Sequence, residues 1–112
     1  MLLLTILFSL LNPGATAPDT DPVRIFQRAC ANCHGIDGTG RGPGGARLPG
    51  RNLAEARWQA RRPDKAMIAS ILEGRDAMPS FKAHLMREDA ARLVAEVIRP
   101  MAKGPRTAPG KR

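Results

Sequence analysis

The chain has 112 residues and a formal net charge of +8, and 14 of its 18 basic residues are arginine. This length fits one small domain, and the charge favours an acidic protein surface, an anionic membrane or nucleic acid as the partner. The sequence shows no helix-turn-helix or zinc-finger pattern and contains no tyrosine. These features argue against nucleic-acid binding and indicate a basic docking field for an acidic protein.

The N-terminal segment has the pattern of an export signal. Residues 1–11 are almost wholly apolar, a Pro-Gly pair interrupts the run, and residues 15–17 read Ala-Thr-Ala, as at a signal-peptidase site. The apolar run is too short to span a bilayer, which needs about 20 residues. We predict a signal peptide over residues 1–17, export to the periplasm and a folded domain over residues 18–101. A buried core helix or an uncleaved membrane anchor is the alternative.

The first predicted helix covers residues 21–30, with Asp21 as its N-cap and Pro22 in its first turn. The other predicted elements, in chain order, are a loop over residues 35–50 with seven glycines, a short helical turn over 53–59, a helix over 64–73, a loop over 77–81, a helix over 87–99 and a basic disordered tail over 102–112. No strand pattern competes with these elements. The chain is therefore predicted to be all-α, with three to four short helices.

A reactive motif begins at the end of the first predicted helix, where residues 30–34 read Cys-Ala-Asn-Cys-His. C-x-x-C-H is the attachment sequence for c-type haem. The thiols of Cys30 and Cys33 add to two vinyl groups of the porphyrin, and His34 is then held next to the iron as an axial ligand. Two alternatives stay open at this point. A zinc site would need further ligands, of which His84 is the candidate, and a redox dithiol would need a βαβ setting.

Beyond this motif the sequence resembles the class I c-type cytochromes, close to the small bacterial electron carriers. The resemblance covers most of residues 21–99, in these stretches: Ile25-Phe26, residues 30–35, Gly38, Gly40, Gly42-Pro43, Ile71, Gly74, residues 78–81, Leu93-Val94 and Ile98-Arg99. It implies the cytochrome c fold, in which the helices wrap around one covalently bound haem c. The single attachment motif implies one haem.

The resemblance also implies that Met78 is the second axial ligand of the iron. A soft thioether stabilises ferrous iron and raises the reduction potential. Pro79 favours an extended backbone at Met78 and stiffens the ligand loop. The other methionines Met67, Met86 and Met101 stand at helical positions that suit core packing. His84 is the rival ligand.

Further contacts to the cofactor follow from the resemblance and from side-chain chemistry. In the family a proline carbonyl accepts a hydrogen bond from the axial histidine; Pro43 matches this position, and Pro49 is the alternative. Three side chains are candidate donors to the haem propionates: Arg47, Arg51 and Trp58. Trp58 fits a position in the hydrophobic core equally well.

The two terminal helices depart from the family pattern. Pro22 stands four residues before Phe26, where the family commonly has glycine, and Val97 or Glu96 stands where it commonly has an aromatic residue. We expect a looser crossing of these helices, or a contact in which Phe26 packs against Leu93 and Val97.

With both axial positions filled, the predicted function is single-electron transfer between exported or membrane-bound redox partners, without intrinsic catalysis. The partners would be redox proteins with acidic docking surfaces, and a membrane would be reached only through a partner or an uncleaved N-terminus. One alternative is an electron-accepting cytochrome subunit of an exported dehydrogenase or reductase complex. Another is peroxidase or ligand-sensing chemistry, which requires Met78 to leave the iron.

Overall fold

The computed structural model describes residues 19–103, and this part of the chain is helical, with isolated β-bridges and no sheet. We number four helices: α1 over 22–34, built from contiguous segments Pro22–Ile25, Phe26–Cys30 and Ala31–His34; α2, Ala56–Arg61; α3, Asp64–Glu73; and α4 over 87–101, built from Arg87–Arg92, Leu93–Ile98 and Arg99–Met101. No helix in residues 19–103 is long and apolar enough to cross a membrane. The predicted signal peptide, residues 1–17, lies outside the described residues, as does the predicted tail beyond Lys103.

Helix α1 begins as predicted and ends later. The carboxylate of Asp21 accepts a hydrogen bond from the backbone N–H of Val23 at 3.0 Å, and Pro22 occupies the first turn, where no N–H is needed. The helix continues four residues beyond the predicted end at Cys30, because the Cys-Ala-Asn-Cys-His segment is itself helical and ends at Gly35. The attachment segment therefore stands on a helix and not in a loop.

Helix α3 has its predicted bounds, whereas the others shift by a few residues. Helix α2 starts at Ala56, three residues after the predicted start of the turn. Helix α4 begins after Met86, whose backbone N–H donates to the carboxylate of Asp89 at 3.0 Å. It continues through Pro100 as a short 3₁₀ turn, since proline lacks the N–H but is compatible with the backbone angles of a helix start.

The core forms where α1 crosses α4. Its largest fully buried side chains are Phe26, Leu93 and Val94. The other buried members are Ile25, Leu53, Met67, Ile71, Leu72, Ala90 and Ile98. Phe26 and Leu93, predicted to pack together, belong to this one cluster, and Val97 packs against it. Met86 differs from its prediction: it is 69% exposed, because it precedes α4 and lies off its apolar stripe.

A buried polar side chain joins α2 to α4. Gln59 is 5% exposed, and its Nε2 donates to the carbonyls of Leu53 at 2.8 Å and Ile98 at 2.7 Å. The guanidinium of Arg99 donates in turn to the carbonyl of Gln59 at 2.6 Å and pairs with Asp64 at 2.7 Å. Buried polar groups stabilise a fold only when they are hydrogen-bonded, and both amide hydrogens of Gln59 meet this condition.

Both ends of the described domain are hydrogen-bonded to residues in its interior sequence. Arg92 of α4 donates to the carbonyl of Thr20 at 3.1 Å. At the other end, the N–H of Lys103 donates to the carbonyl of Ala54 at 2.6 Å, and the N–H of Ala56 donates to the carbonyl of Lys103 at 3.3 Å. The chain therefore enters and leaves the domain against α4 and the start of α2.

Candidate haem-binding site

The two cysteines of the attachment segment are free thiols in different surroundings. Cys30 is half-buried and packs against the core, whereas Cys33 is exposed. Burial, with a smaller contribution from the charge of Cys33, raises the pKa of Cys30 to about 11. Residues three apart on a helix are neighbours on one face, so both thiols are available to a group that rests against this side of the core.

His34 is the last residue of α1, and its ring is held from one side. Its Nδ1 lies 3.0 Å from the backbone carbonyl of Arg51. Because a carbonyl only accepts, this contact places the proton on Nδ1 and leaves Nε2 free to bind a metal. The backbone is fixed as well: the N–H of Gly40 donates to the carbonyl of His34 at 2.7 Å, and the N–H of Gly50 donates to that of Cys33 at 2.6 Å.

The structure gives the role of this carbonyl acceptor to Arg51 rather than to Pro43. The carbonyl of Pro43 instead accepts from the N–H of Ala46 at 3.4 Å, within the 3₁₀ turn Pro43–Gly45. The glycine-rich loop folds back on itself at this turn, so its later residues meet the histidine ring. The kind of partner was therefore predicted, but not the residue that supplies it.

Met78 closes a tight turn after α3. The N–H of Arg75 donates to the carbonyl of Met78 at 2.9 Å, and the N–H of Met78 donates back at 2.8 Å. Asp76, at the first central position, has a φ of +53°. Asp is among the few residues other than glycine that adopt this left-handed conformation readily. Met78 is half-buried and packs against the core, as does Phe81.

The turn is bound to the C-terminal end of α3. Gly74 ends the helix with a φ of +82°, and a Cβ at this position would lie 2.8 Å from the carbonyl oxygen of Met78 and 2.9 Å from the nitrogen of Ser80. The hydroxyl of Ser80 donates to the carbonyl of Leu72 at 2.5 Å. Only glycine allows the methionine segment to pass this close to the helix end.

Of the three predicted propionate donors, the structure brings two together. The guanidinium of Arg51 lies over the ring of Trp58, 4.3 Å from its centroid, at a distance typical of a cation–π contact. Trp58 is half-buried and packs against the core. It lies next to the site because Arg51, whose guanidinium covers the indole ring, also places its backbone carbonyl against the ring of His34. Arg47 lies apart from this contact, exposed and opposite Arg41 across an isolated antiparallel bridge.

Two contributors to the site were not predicted. The carbonyl of Arg51 carries no side-chain signal, because every residue has a carbonyl. The left-handed conformation of Asp76 has only the weak signal that Asp occurs in turns. A search for Asp, Asn or Gly shortly before the candidate ligand Met78 would have found it.

The donor set fits a covalently attached haem and not the alternatives. Within residues 19–103, no group of three or more His, Cys, Asp or Glu side chains could hold a metal ion, whereas structural zinc requires four such ligands. The described part of the chain has no β-strand for a βαβ unit, which a thioredoxin-like dithiol needs. One imidazole, one thioether and two free thiols match the requirements of haem c.

Comparison with known proteins decides the family. Residues 17–95 match the family model described as "Cytochrome C oxidase, cbb3-type, subunit III". The chain belongs to this cytochrome c family. This cytochrome is 29% identical to cytochrome c6 of Nostoc sp. (strain PCC 7120 / SAG 25.82 / UTEX 2576) over 100 residues, which is 81% of this chain and 78% of that protein.

Solved structures agree with this assignment. The KustC0563 c-type cytochrome superposes with a TM-score of 0.63 at 33% identity and covers 74% of this chain and 99% of its own. Cytochrome c6 from the diatom Phaeodactylum tricornutum superposes with a TM-score of 0.53 at 27% identity and covers 74% of this chain and 94% of its own.

These findings confirm several predictions made from the sequence. The fold is that of the class I c-type cytochromes, helical and without a sheet in the described residues. The cofactor is covalently bound haem c. The cytochrome is an electron carrier and not an enzyme.

Proposed function

We propose that this cytochrome carries single electrons between exported redox proteins, with His34 and Met78 as the axial ligands of the iron and with Cys30 and Cys33 as its points of covalent attachment. The observation that carries the proposal is that hydrogen bonds fix the backbone of each proposed ligand residue. His34 presents a free Nε2 because its Nδ1 is engaged, and Met78 is held by a doubly hydrogen-bonded turn. When bound, the haem supplies a one-electron change between ferrous and ferric iron.

The residues around the two ligands set the properties of the site. The hydrogen bond from His34 to the carbonyl of Arg51 fixes the orientation of the imidazole and strengthens it as a ligand. The thioether of Met78 favours ferrous iron. Because both axial positions are occupied in this arrangement, no position is left for a substrate, which agrees with electron transfer and not with peroxidase chemistry.

We further propose that Arg51 and Trp58 donate to the haem propionates. The guanidinium of Arg51 is exposed on one side and rests on the indole ring on the other. Its contact with Trp58 reduces the number of conformations that the guanidinium samples, and a planar fork of N–H groups suits a carboxylate. The ion pair of Arg51 with Glu55 at 3.7 Å is solvent-exposed and therefore weak.

The proposed location is the periplasm, after removal of residues 1–17, and the proposed partners are redox proteins with acidic docking surfaces. The net charge of +8 supports this choice of partner, because a field of one sign steers encounters with a surface of the other. A dedicated electron-accepting subunit of an exported complex is distinguished by stable co-purification with its enzyme at low salt.

One experiment tests the ligand set. The chain is produced with the c-type maturation machinery, and its pyridine haemochrome spectrum reports two thioether bonds. Met78→Ala should abolish the absorption band that marks the methionine–iron bond and lower the reduction potential. Met86→Ala is the matched control, because Met86 is 69% exposed. A haem that is not covalently bound, or a methionine band that survives Met78→Ala, would contradict the proposal.

A further inference from the structure

The loop after α1 carries two like charges opposite each other. Arg41 and Arg47 are paired across an isolated antiparallel bridge, and both are exposed. The hairpin between them is closed by a hydrogen bond from the N–H of Gly42 to the carbonyl of Ala46 at 2.7 Å. Like charges directly opposite each other on an antiparallel pair destabilise it. An anionic surface placed against the hairpin would remove this repulsion.

The carboxylates of the chain do not neutralise this pair. All ten Asp and Glu residues lie within residues 19–103, and seven of them pair with other basic residues: Asp19, Asp21, Glu55, Asp64, Glu73, Asp76 and Glu96. The acid nearest in sequence, Asp37, accepts from the N–H of Thr39 at 3.1 Å and from its hydroxyl at 2.7 Å. Among the described residues, Arg41 and Arg47 therefore form no ion pair.

An exposed apolar side chain stands in the same loop. Ile36 is 78% exposed, the largest exposure among the large hydrophobic residues of the described domain. It lies two residues after His34 and within the turn closed by the hydrogen bond from Gly38 to the carbonyl of Gly35 at 3.0 Å. An apolar centre beside arginine is typical of protein–protein interfaces, in which arginine is enriched and lysine is depleted.

The loop is joined directly to the backbone of the proposed iron ligand. The N–H of Gly40, the neighbour of Arg41, donates to the carbonyl of His34 at 2.7 Å, and the N–H of Leu48, the neighbour of Arg47, donates to the carbonyl of Gly40 at 2.8 Å. A partner bound to this hairpin is thus separated from His34 by one hydrogen bond and a few covalent bonds.

We propose that Ile36, Arg41 and Arg47 form the surface on which the redox partner docks, and that this partner presents carboxylates around an apolar patch. The inference rests on the proposed electron-transfer function and adds the place at which the partner binds. It also gives Arg47 a role in place of its predicted contact with a haem propionate.

A second basic pair provides a matched control. Arg57 and Arg61 are exposed on α2, one helical turn apart, and form no ion pair within residues 19–103. Replacement of either pair by glutamine changes the net charge by the same amount. A purely long-range effect of charge would therefore be equal in Arg41→Gln/Arg47→Gln and in Arg57→Gln/Arg61→Gln.

The test uses the haem-loaded full chain on a gold electrode coated with a carboxylate-terminated monolayer, at low ionic strength. Voltammetry gives the electroactive coverage and the rate of electron transfer. Arg41→Gln/Arg47→Gln should lower the coverage about tenfold and weaken its salt dependence, and Arg57→Gln/Arg61→Gln should change it by less than about twofold. Equal losses in the two double variants would overturn the proposal.

Two further measurements keep the result specific. Ile36→Ser should lower the coverage about threefold on a mixed carboxylate and methyl monolayer but not on the pure carboxylate one; equal behaviour on both would overturn the apolar part of the surface. If Arg41→Gln/Arg47→Gln shifts the reduction potential but leaves the coverage unchanged, Arg47 contacts a haem propionate, as first predicted, and the docking proposal is overturned. Absence of a one-electron wave in the unaltered protein would contradict the proposed function itself, whereas equal waves in all variants would contradict docking alone.

Discussion

Helices α1 and α3 end in the same way but place their proposed iron ligands differently. Gly35 ends α1 with φ 83° and ψ 153°, and Gly74 ends α3 with φ 82° and ψ 169°. His34 is the last helical residue before the first glycine, whereas Met78 follows the second glycine by four residues. His34 is thus positioned by a helix, and Met78 by a turn that packs against the end of a helix.

This difference predicts which ligand is held more firmly. His34 is fixed through its backbone and through a hydrogen bond from its ring at 3.0 Å. Met78 is fixed through the backbone bonds of its turn with Arg75, and its side chain is held only by packing against the core. The side chain of His34 is thus held by a directional hydrogen bond and that of Met78 by packing alone, so we expect the methionine ligand to be lost before the histidine ligand.

The largest effect is expected for Gly74→Ala. Its Cβ would lie within 3.0 Å of three backbone atoms of residues 78–80, in a conformation that side chains other than hydrogen avoid. We expect a loss of about 4 kcal/mol in the free energy of unfolding. The methionine–iron band should disappear while the haem stays covalently attached, as urea unfolding and absorption spectra would show. Retention of the band would mean that the turn does not depend on this glycine.

Gly35→Ala is the reciprocal change on the histidine side. Its Cβ would lie 2.8 Å from the carbonyl oxygen of Arg41, and we expect a loss of about 3 kcal/mol. Here the amount of covalent haem per chain should fall, because the segment that carries His34 is displaced, whereas loaded molecules should keep the methionine band. The ratio of haem to protein measures this loss. A normal ratio together with a lost methionine band would show that Gly35 supports the methionine ligand and not the histidine ligand.

Ser80→Ala tests one hydrogen bond between the methionine turn and α3. Removal of the hydroxyl leaves the carbonyl of Leu72 without this donor, and the expected loss is about 1 kcal/mol. Ser70→Ala is the control, since Ser70 also donates to a carbonyl of α3, that of Ala66, and accepts from Arg62, but makes no hydrogen bond to the methionine turn. Both variants should lose similar stability in urea, but only Ser80→Ala should weaken the methionine–iron band. Bands of equal intensity in the two variants would show that the hydrogen bond from Ser80 does not support Met78.

The smallest effect is expected at Asp76, whose φ is +53°. Asn adopts this conformation at least as readily as Asp, so Asp76→Asn should change the free energy of unfolding by less than about 0.5 kcal/mol. A β-branched residue does not, and Asp76→Val should cost about 1 kcal/mol. Thermal unfolding of the two variants measures this difference, and equal melting temperatures would show that the turn conformation at Asp76 is not required.

The helices of this cytochrome were predictable because their signals are local. Asp64 and Gly74 bracket an apolar stripe, and α3 has the predicted bounds. Asp21 caps α1 as predicted. The end of α1 was placed too early, since a Cys-Ala-Asn-Cys-His segment has only moderate helix propensity and its packing against the core decides its conformation.

The contacts that depend on the path of a loop were not predictable. The partner of His34 lies seventeen residues further along the chain, and nothing in the sequence distinguishes its carbonyl from that of Pro43. Gln59 gave no signal either, because a glutamine near the middle of a short helix usually faces solvent. The pairing of Arg41 with Arg47 arises from the hairpin in a glycine-rich loop, whose course sequence patterns do not determine.

The fastening of the two domain ends has a mechanical consequence. Thr20 is hydrogen-bonded to Arg92 and Lys103 to Ala54, so a force at the N-terminal end acts on α1 and α4, and a force at the C-terminal end acts on the segment just before α2. The turn of Arg75 and Met78 lies outside these segments, whereas Arg51, the partner of His34, lies three residues before Ala54. A tether or a fused module joined at either end should therefore leave the turn that holds Met78 undisturbed.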